Sequence, residues 1–343
     1  MPVVTIGEAM VSLVPLASGP LRHVRTFDKH VGGAEFNTAV ALARLGTPSR
    51  WVSRVGEDEF GLEIVRTARA EGVDVTFVRA DPEAPTGVYF REYGGPAGTR
   101  VFYYRRGSAA SRMTPDDLDG AFADATALHV SGITPALSAS CRDTALAAVR
   151  LAREAKVPVS VDPNIRRKLV AAADVQRLLR PLADAADVLV AGEEELEALY
   201  GAGHAIAVDP SGVAGADFAD TDEAHLARLY PLLERTRAAG PAVVVCKLGL
   251  DGAVACSADG LVAQSALPCP EVVDPIGAGD GFDAGFLHVW LESRNVAEAL
   301  RWGVVVGACA VAVRGDFEGY PDAARAAALV ARLSAARPVD VER

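Results

Sequence analysis

The densest chemical signal in the chain lies in residues 271–286, Glu-Val-Val-Asp-Pro-Ile-Gly-Ala-Gly-Asp-Gly-Phe-Asp-Ala-Gly-Phe. A small-residue turn at 277–280 feeds an apolar pattern in which Phe282, Phe286, Val289 and Trp290 fall at helical spacing. The first turn of a helix leaves backbone N–H groups unpaired, and the helix dipole adds positive potential there. Anions, phosphates above all, settle at such ends. Asp280 is an acid on that same turn. A carboxylate beside a phosphate site is electrostatically costly, which suggests a task for it. It could take the proton from a hydroxyl while the N–H groups hold the phosphoryl group that the hydroxyl attacks. An ordinary glycine turn with a solvated aspartate has the same local pattern, so this fragment does not decide alone.

Three other stretches place suitable groups at the ends of expected elements. Gly32 and Gly33 precede an alanine-rich helix stopped by Gly46 and Pro48, and they permit close approach of a ligand to the backbone. Asn37, one turn in, offers both a donor and an acceptor to a sugar hydroxyl. Asp162, Asn164 and Arg166 follow an expected strand at 157–162. Lys247 ends another at 242–247, followed by a turn with Gly249 and Gly252 that could cradle a nucleotide phosphate. Ligands of open parallel sheets bind at the carboxyl ends of strands, so these stretches are expected to share one cleft.

The elements that must position them alternate. Strands are expected at 3–6, 50–55, 73–78, 127–131 and 187–191, with helices at 60–71, 138–155, 226–239, 297–313 and 322–335. Such βαβ alternation favours a parallel sheet. Residues 253–257 and 261–265 suggest an antiparallel edge hairpin, and 314–321 a turn. Residues 86–106 break the pattern: two aromatic strands flank the glycine-rich turn 94–98. They are expected to pair with extended pieces in 11–31 as a small β lid inserted in a domain covering 1–343. Strand alternation puts Tyr103 and Arg105 on one face, where a hydroxyl and a guanidinium suit a polyhydroxylated carboxylate. Most of the aromatic residues are expected to form the lid's own core or a dimer surface, and a homo-oligomer is expected on that ground. Residues 201–222 lack a period and read as a surface insertion of low order.

Composition narrows the classes. The chain has 343 residues, half of them hydrophobic, and a net charge of −11. No basic run marks a nucleic-acid surface. No apolar run reaches the length of a membrane span, and no leader pattern is visible, so a cytoplasmic protein is expected. The five cysteines form no C-x-x-C, which argues against a zinc site or a disulfide framework.

Gly32-Gly33-Ala-Glu-Phe-Asn37 and Asp274-Pro-Ile-Gly277-Ala278-Gly279-Asp280 resemble the two signatures of the ribokinase-type sugar kinases, the phosphofructokinase-B family. The resemblance runs along nearly the whole chain. It implies an α/β fold with a central, mostly parallel sheet flanked by helices, a β lid, and ATP-dependent phosphorylation of a sugar hydroxyl. It implies Asp280 as base and the N–H groups of Gly277, Ala278 and Gly279 as the anion hole. Within that family, Tyr103-Tyr-Arg105-Arg-Gly-Ser-Ala-Ala110 and Asp162-Pro-Asn164-Ile-Arg166 resemble the 2-keto-3-deoxygluconate kinases. That implies Tyr89, Tyr103, Arg105 and Arg166 around a sugar acid, since a neutral sugar would not need two arginines. Fructokinase- or ribokinase-like kinases and a non-catalytic sugar-acid-binding protein are the alternatives. The family's Asn-x-x-Glu near magnesium is altered: Gly192 replaces the Asn and Glu195 remains, with Glu193 able to take its place. A monovalent cation near Asp274 and the 310–315 carbonyls is a further implication. Gly281 stands where a small Ala or Ser is common, a change expected to be sterically mild.

Overall fold

The computed structural model describes residues 1–93, 99–201, 213–214, 223–269 and 271–335. The 94–98 turn and nearly all of the 201–222 stretch therefore lie outside the described residues. Fourteen strands are described: β1 (Val3–Ile6), β2 (Met10–Pro15), β3 (Phe27–Gly32), β4 (Ser49–Gly56), β5 (Val78–Asp81), β6 (Val88–Tyr93), β7 (Thr99–Tyr104), β8 (Ala127–Ser131), β9 (Val159–Asp162), β10 (Val188–Gly192), β11 (Val213–Ala214), β12 (Val243–Lys247), β13 (Ala253–Ser257) and β14 (Gly260–Gln264). The helices are α1 (Ala34–Arg44), α2 (Glu59–Ala70), α3 (Ile133–Leu137), α4 (Ala139–Ala155), α5 (Val175–Ala183), α6 (Glu193–Tyr200), α7 (Glu223–Ala238), α8 (Ala278–Ser293), α9 (Val296–Ala310) and α10 (Ala323–Ala335).

The main sheet runs β11-β14-β13-β12-β10-β9-β8-β1-β4-β5. It is parallel except where β13 pairs antiparallel with β12 and β14. Both faces are covered, so the central strands are apolar on both sides. Val4, Ile6, Leu128, Leu189 and Val244 face the core under α4 to α7. Val3, Trp51 and Ala127 face α1 and α8, and Val188, Val190 and Val243 pack under α8 and α9. Four of the five cysteines are buried and all are free, as apolar thiols. No described helix is long and apolar enough to cross a membrane.

A second sheet, β3-β2-β6-β7, holds the two segments expected to pair. β2 joins β3 antiparallel and β6 parallel, and β6 joins β7 antiparallel with Tyr89 opposite Tyr103.

Two local expectations change. The strand expected at 73–78 begins only at Val78. Asp74 takes the N–H and hydroxyl of Thr76, and Val78 bonds back to Val75, so local turn bonds replace ladder bonds there. The 253–264 hairpin is not the edge, because β11 adds to β14.

Candidate active site

The small sheet and the carboxyl ends of the main sheet's parallel strands enclose a cavity of about 410 Å³. Gly32, Gly33, Asn37, Tyr89, Tyr103, Arg105, Asn164, Arg166, Glu195, Lys247, Gly277, Gly279 and Asp280 all line it. Of the residues expected to bind sugar or phosphate, Ala278, Gly249 and Gly252 do not. Ala278 is the first residue of α8, and its N–H turns back to Pro275 O at 3.4 Å. Gly249 and Gly252 have positive φ and shape the turn between β12 and β13. Gly252 backs onto the chain around Gln264, which accounts for that glycine by packing alone.

The turn before α8 forms because Gly277 takes φ +83°, a left-handed conformation that favours glycine. Its carbonyl accepts from Gly281 N at 2.9 Å and from Tyr320 Oη at 2.6 Å. Gly277 and Gly279, on either side of Ala278, line the cavity at this helix start. Gly281 is not a mild change from alanine, as the sequence suggested. A Cβ there would lie 2.6 Å from the Tyr320 ring, so glycine makes room for the tyrosine that ties down the turn.

Asp280 is buried in the first turn of α8. Asn37 donates to its Oδ2 at 2.7 Å, and its backbone carbonyl accepts from Thr38 Oγ1 at 3.3 Å. Asn37 thus holds the acid rather than presenting its amide freely to a sugar, and its Oδ1 faces Gly33 N at 3.3 Å. Burial pushes the Asp280 carboxyl up to about 7, against the Asn37 bond and with help from Asp162. One turn on, Asp283 is buried, its Oδ2 accepts no hydrogen bond among the described residues and lies 3.9 Å from His129 Nε2, and burial raises its pKa strongly. Lys247 bridges these acids, at 2.9 Å from Asp162 and 3.4 Å from Asp283. Burial works against the Asp162 carboxylate, but Lys247 outweighs it and holds Asp162 low.

At the other end, Arg105 faces a partner that sequence reading did not find. Glu8 takes its Nε at 2.6 Å and lies 2.5 Å from its Nη2. Arg166 is exposed and has no ion-pair partner among the described residues. Its neighbour Lys168 reaches Val101 O at 2.5 Å and lies over the Phe102 and Tyr103 rings. The strand-end loop is thereby joined to the small sheet.

Arg91, Asp274 and Asp316 form a third group missed from sequence. Arg91 is fully buried and pairs with both aspartates, while Tyr89 Oη donates to Asp316 at 2.9 Å. Gly32 leaves the space that the Asp316 carboxylate occupies. Tyr89 therefore reaches an aspartate rather than standing free. A signal was available: β-strand alternation puts Arg91 on the Tyr89 face.

Comparison with known proteins gives the family. A model for the pfkB family carbohydrate kinases matches residues 2–323. The chain belongs to that family. It is 36% identical over 333 residues to the 2-dehydro-3-deoxygluconokinase of Thermoproteus tenax, covering 96% of this chain and 94% of that one. It is 34% identical over 342 residues to the enzyme of the same name from Bacillus subtilis, covering 98% and 96%. The solved structure of the Thermotoga maritima 2-dehydro-3-deoxygluconokinase superposes with a TM-score of 0.81 at 25% identity, over 96% of this chain and 98% of the other. This pfkB kinase thus has the ribokinase-like fold, and its small sheet stands where the sequence led one to look for a lid.

Glu195 and Glu193 remain to be placed. Glu195 lines the cavity, yet both of its oxygens take backbone N–H groups, Ile165 at 2.6 Å and Gly192 at 2.9 Å. Burial raises its pKa, with Asp162 adding to the shift. Glu193 bonds His225 at 2.8 Å and does not line the cavity, so it does not take Glu195's place. No cluster of three metal-ligating side chains occurs among the described residues.

Proposed function

We propose that this pfkB kinase transfers the γ-phosphoryl group of ATP to the terminal hydroxyl of 2-keto-3-deoxygluconate, giving the 6-phosphate. One observation carries the reading. A buried carboxylate poised near pH 7 and an arginine without an ion-pair partner among the described residues line the same cavity. The relatives of highest identity reported above, named for this sugar acid, support the same assignment.

Asp280 accepts the hydroxyl proton as the oxygen attacks, and Asn37 fixes the direction of its carboxylate. Helix N–H groups at Gly277 and Gly279 and the Lys247 ammonium stabilise the phosphoryl charge. Arg166 and Arg105 receive the substrate carboxylate. The small sheet acts as the lid that excludes water.

Magnesium fits this site as an ion that enters with the nucleotide. Mg²⁺ keeps several waters and uses one or two carboxylates plus substrate phosphates, and Asp162 and Glu195 both face the cavity. When bound it supplies charge neutralisation between the phosphates. For a monovalent cation near Asp274 and the 310–315 carbonyls, the Arg91 guanidinium paired with Asp274 already supplies positive charge at that carboxylate.

The test is an ADP-release assay over 2-keto-3-deoxygluconate, fructose and ribose, with the product located by NMR. The reading expects preference for the keto acid and a phosphate on its terminal carbon. Preference for a neutral sugar, or binding of the acid without turnover, would overturn it.

A further inference from the structure

Glu8 lines the cavity but takes no part in the reaction just described. It follows β1 and is buried. Its Oε2 is engaged by the Arg105 guanidinium, and its Oε1 accepts from Ser108 Oγ at 2.5 Å. Gly87 provides the space, since a Cβ there would lie 2.7 Å from Oε1. With both oxygens held by protein donors, Glu8 acts through Arg105 rather than by touching substrate. The Tyr103 ring lies 5.5 Å from the same guanidinium, which is thus fixed from two sides. Of its three nitrogens, Nη1 has no partner among the described residues.

We propose that Glu8 is a positioning residue that determines specificity: it holds the Arg105 guanidinium by Nε and Nη2, so that Nη1 is left for the substrate carboxylate beside Arg166. This rests on the sugar-acid reading above. A planar guanidinium gives directional recognition only when its fork is held, and a buried arginine without a counter-charge is poorly placed.

The experiment is a double-mutant cycle of Glu8→Ala and Arg105→Ala, with kcat and KM measured for 2-keto-3-deoxygluconate and for fructose. Each single variant should raise the keto-acid KM about tenfold, the size of a lost charged hydrogen bond. The fructose KM should change by less than about threefold, and the double variant should add less than about twofold to Arg105→Ala. Glu8→Gln keeps an acceptor and should recover part of the keto-acid penalty. Should Glu8→Ala fail to fold, Glu8→Gln carries the same cycle. Additive costs, equal KM changes for both sugars, or an unchanged keto-acid KM in the Glu8 variants would overturn the proposal. A wild-type enzyme that prefers fructose would overturn the keto-acid reading as well, whereas additive costs in an acid-selective enzyme overturn this inference alone.

Discussion

The two ends of the cavity handle charge in opposite ways. At the α8 end, Asp280 has one side-chain donor, Asn37, and burial leaves its carboxyl near 7. At the small-sheet end, the cations are paired: Glu8 holds Arg105, and Arg91 sits between Asp274 and Asp316. Arg166, on the loop after β9, lines the cavity without an ion-pair partner among the described residues, and its charge works against the rise of the Asp280 pKa. A reacting group gains from being desolvated and free to change charge. A binding surface gains from groups already fixed before the substrate arrives. The contrast explains how one small cavity can hold several acids and several cations with different duties.

The largest effect should come from removing the reactive acid. Asp280→Asn is expected to lower kcat about 10³-fold, as for loss of a general base, with KM within about threefold. Turnover close to wild type would break the contrast at its first end. The pH dependence follows with its sign. The base works ionised, so kcat/KM should fall below pH about 7. The unfolded carboxyl ionises near its ordinary 3.8, whereas the folded one stays protonated to about 7. Stability is therefore lost as pH rises through that window, and Asp280→Asn should reduce this loss in urea titrations, the other buried acids keeping their share.

Next in size is Arg91→Met, which leaves two buried aspartates without their cation. It should cost about 3 kcal/mol or more in urea unfolding. A variant as stable as wild type would show that the pairing there is incidental. The smallest effect sharpens the same point: replacing K⁺ by a large organic cation should change kcat by less than about twofold, since a guanidinium already supplies the positive charge. Strong K⁺ activation would contradict that role for Arg91.

Local chemistry was legible in the sequence where it depended on neighbours in the chain. The 277–280 turn, the strand-end positions of Asn164 and Lys247, and the pairing of 86–106 with 11–31 needed only periodicity and turn residues. What escaped depends on distant pairs. Arg91 meets Asp316 across 225 positions, and Glu8 meets Arg105 across 97. No local pattern encodes such a partner. Arg91 lay in one of the two aromatic strands and Asp316 in the 314–321 turn, with nothing local to join them. The late start of β5 has another cause. Apolar residues at 73, 75 and 78 read as a strand, but the Asp74 side chain gave the backbone a competing set of bonds. Gly281 shows the reverse error: its neighbour in sequence said little, and Tyr320, packed from another loop, decided it.

The division of the cavity is tested most directly by the ratio of kcat/KM for 2-keto-3-deoxygluconate to that for fructose, in wild type and in Arg166→Ala. The account predicts that the ratio falls about tenfold or more in the variant, the size of a lost charged contact, while kcat for either sugar changes little. An unchanged ratio would contradict it, because Arg166 would then not be what reads the acid.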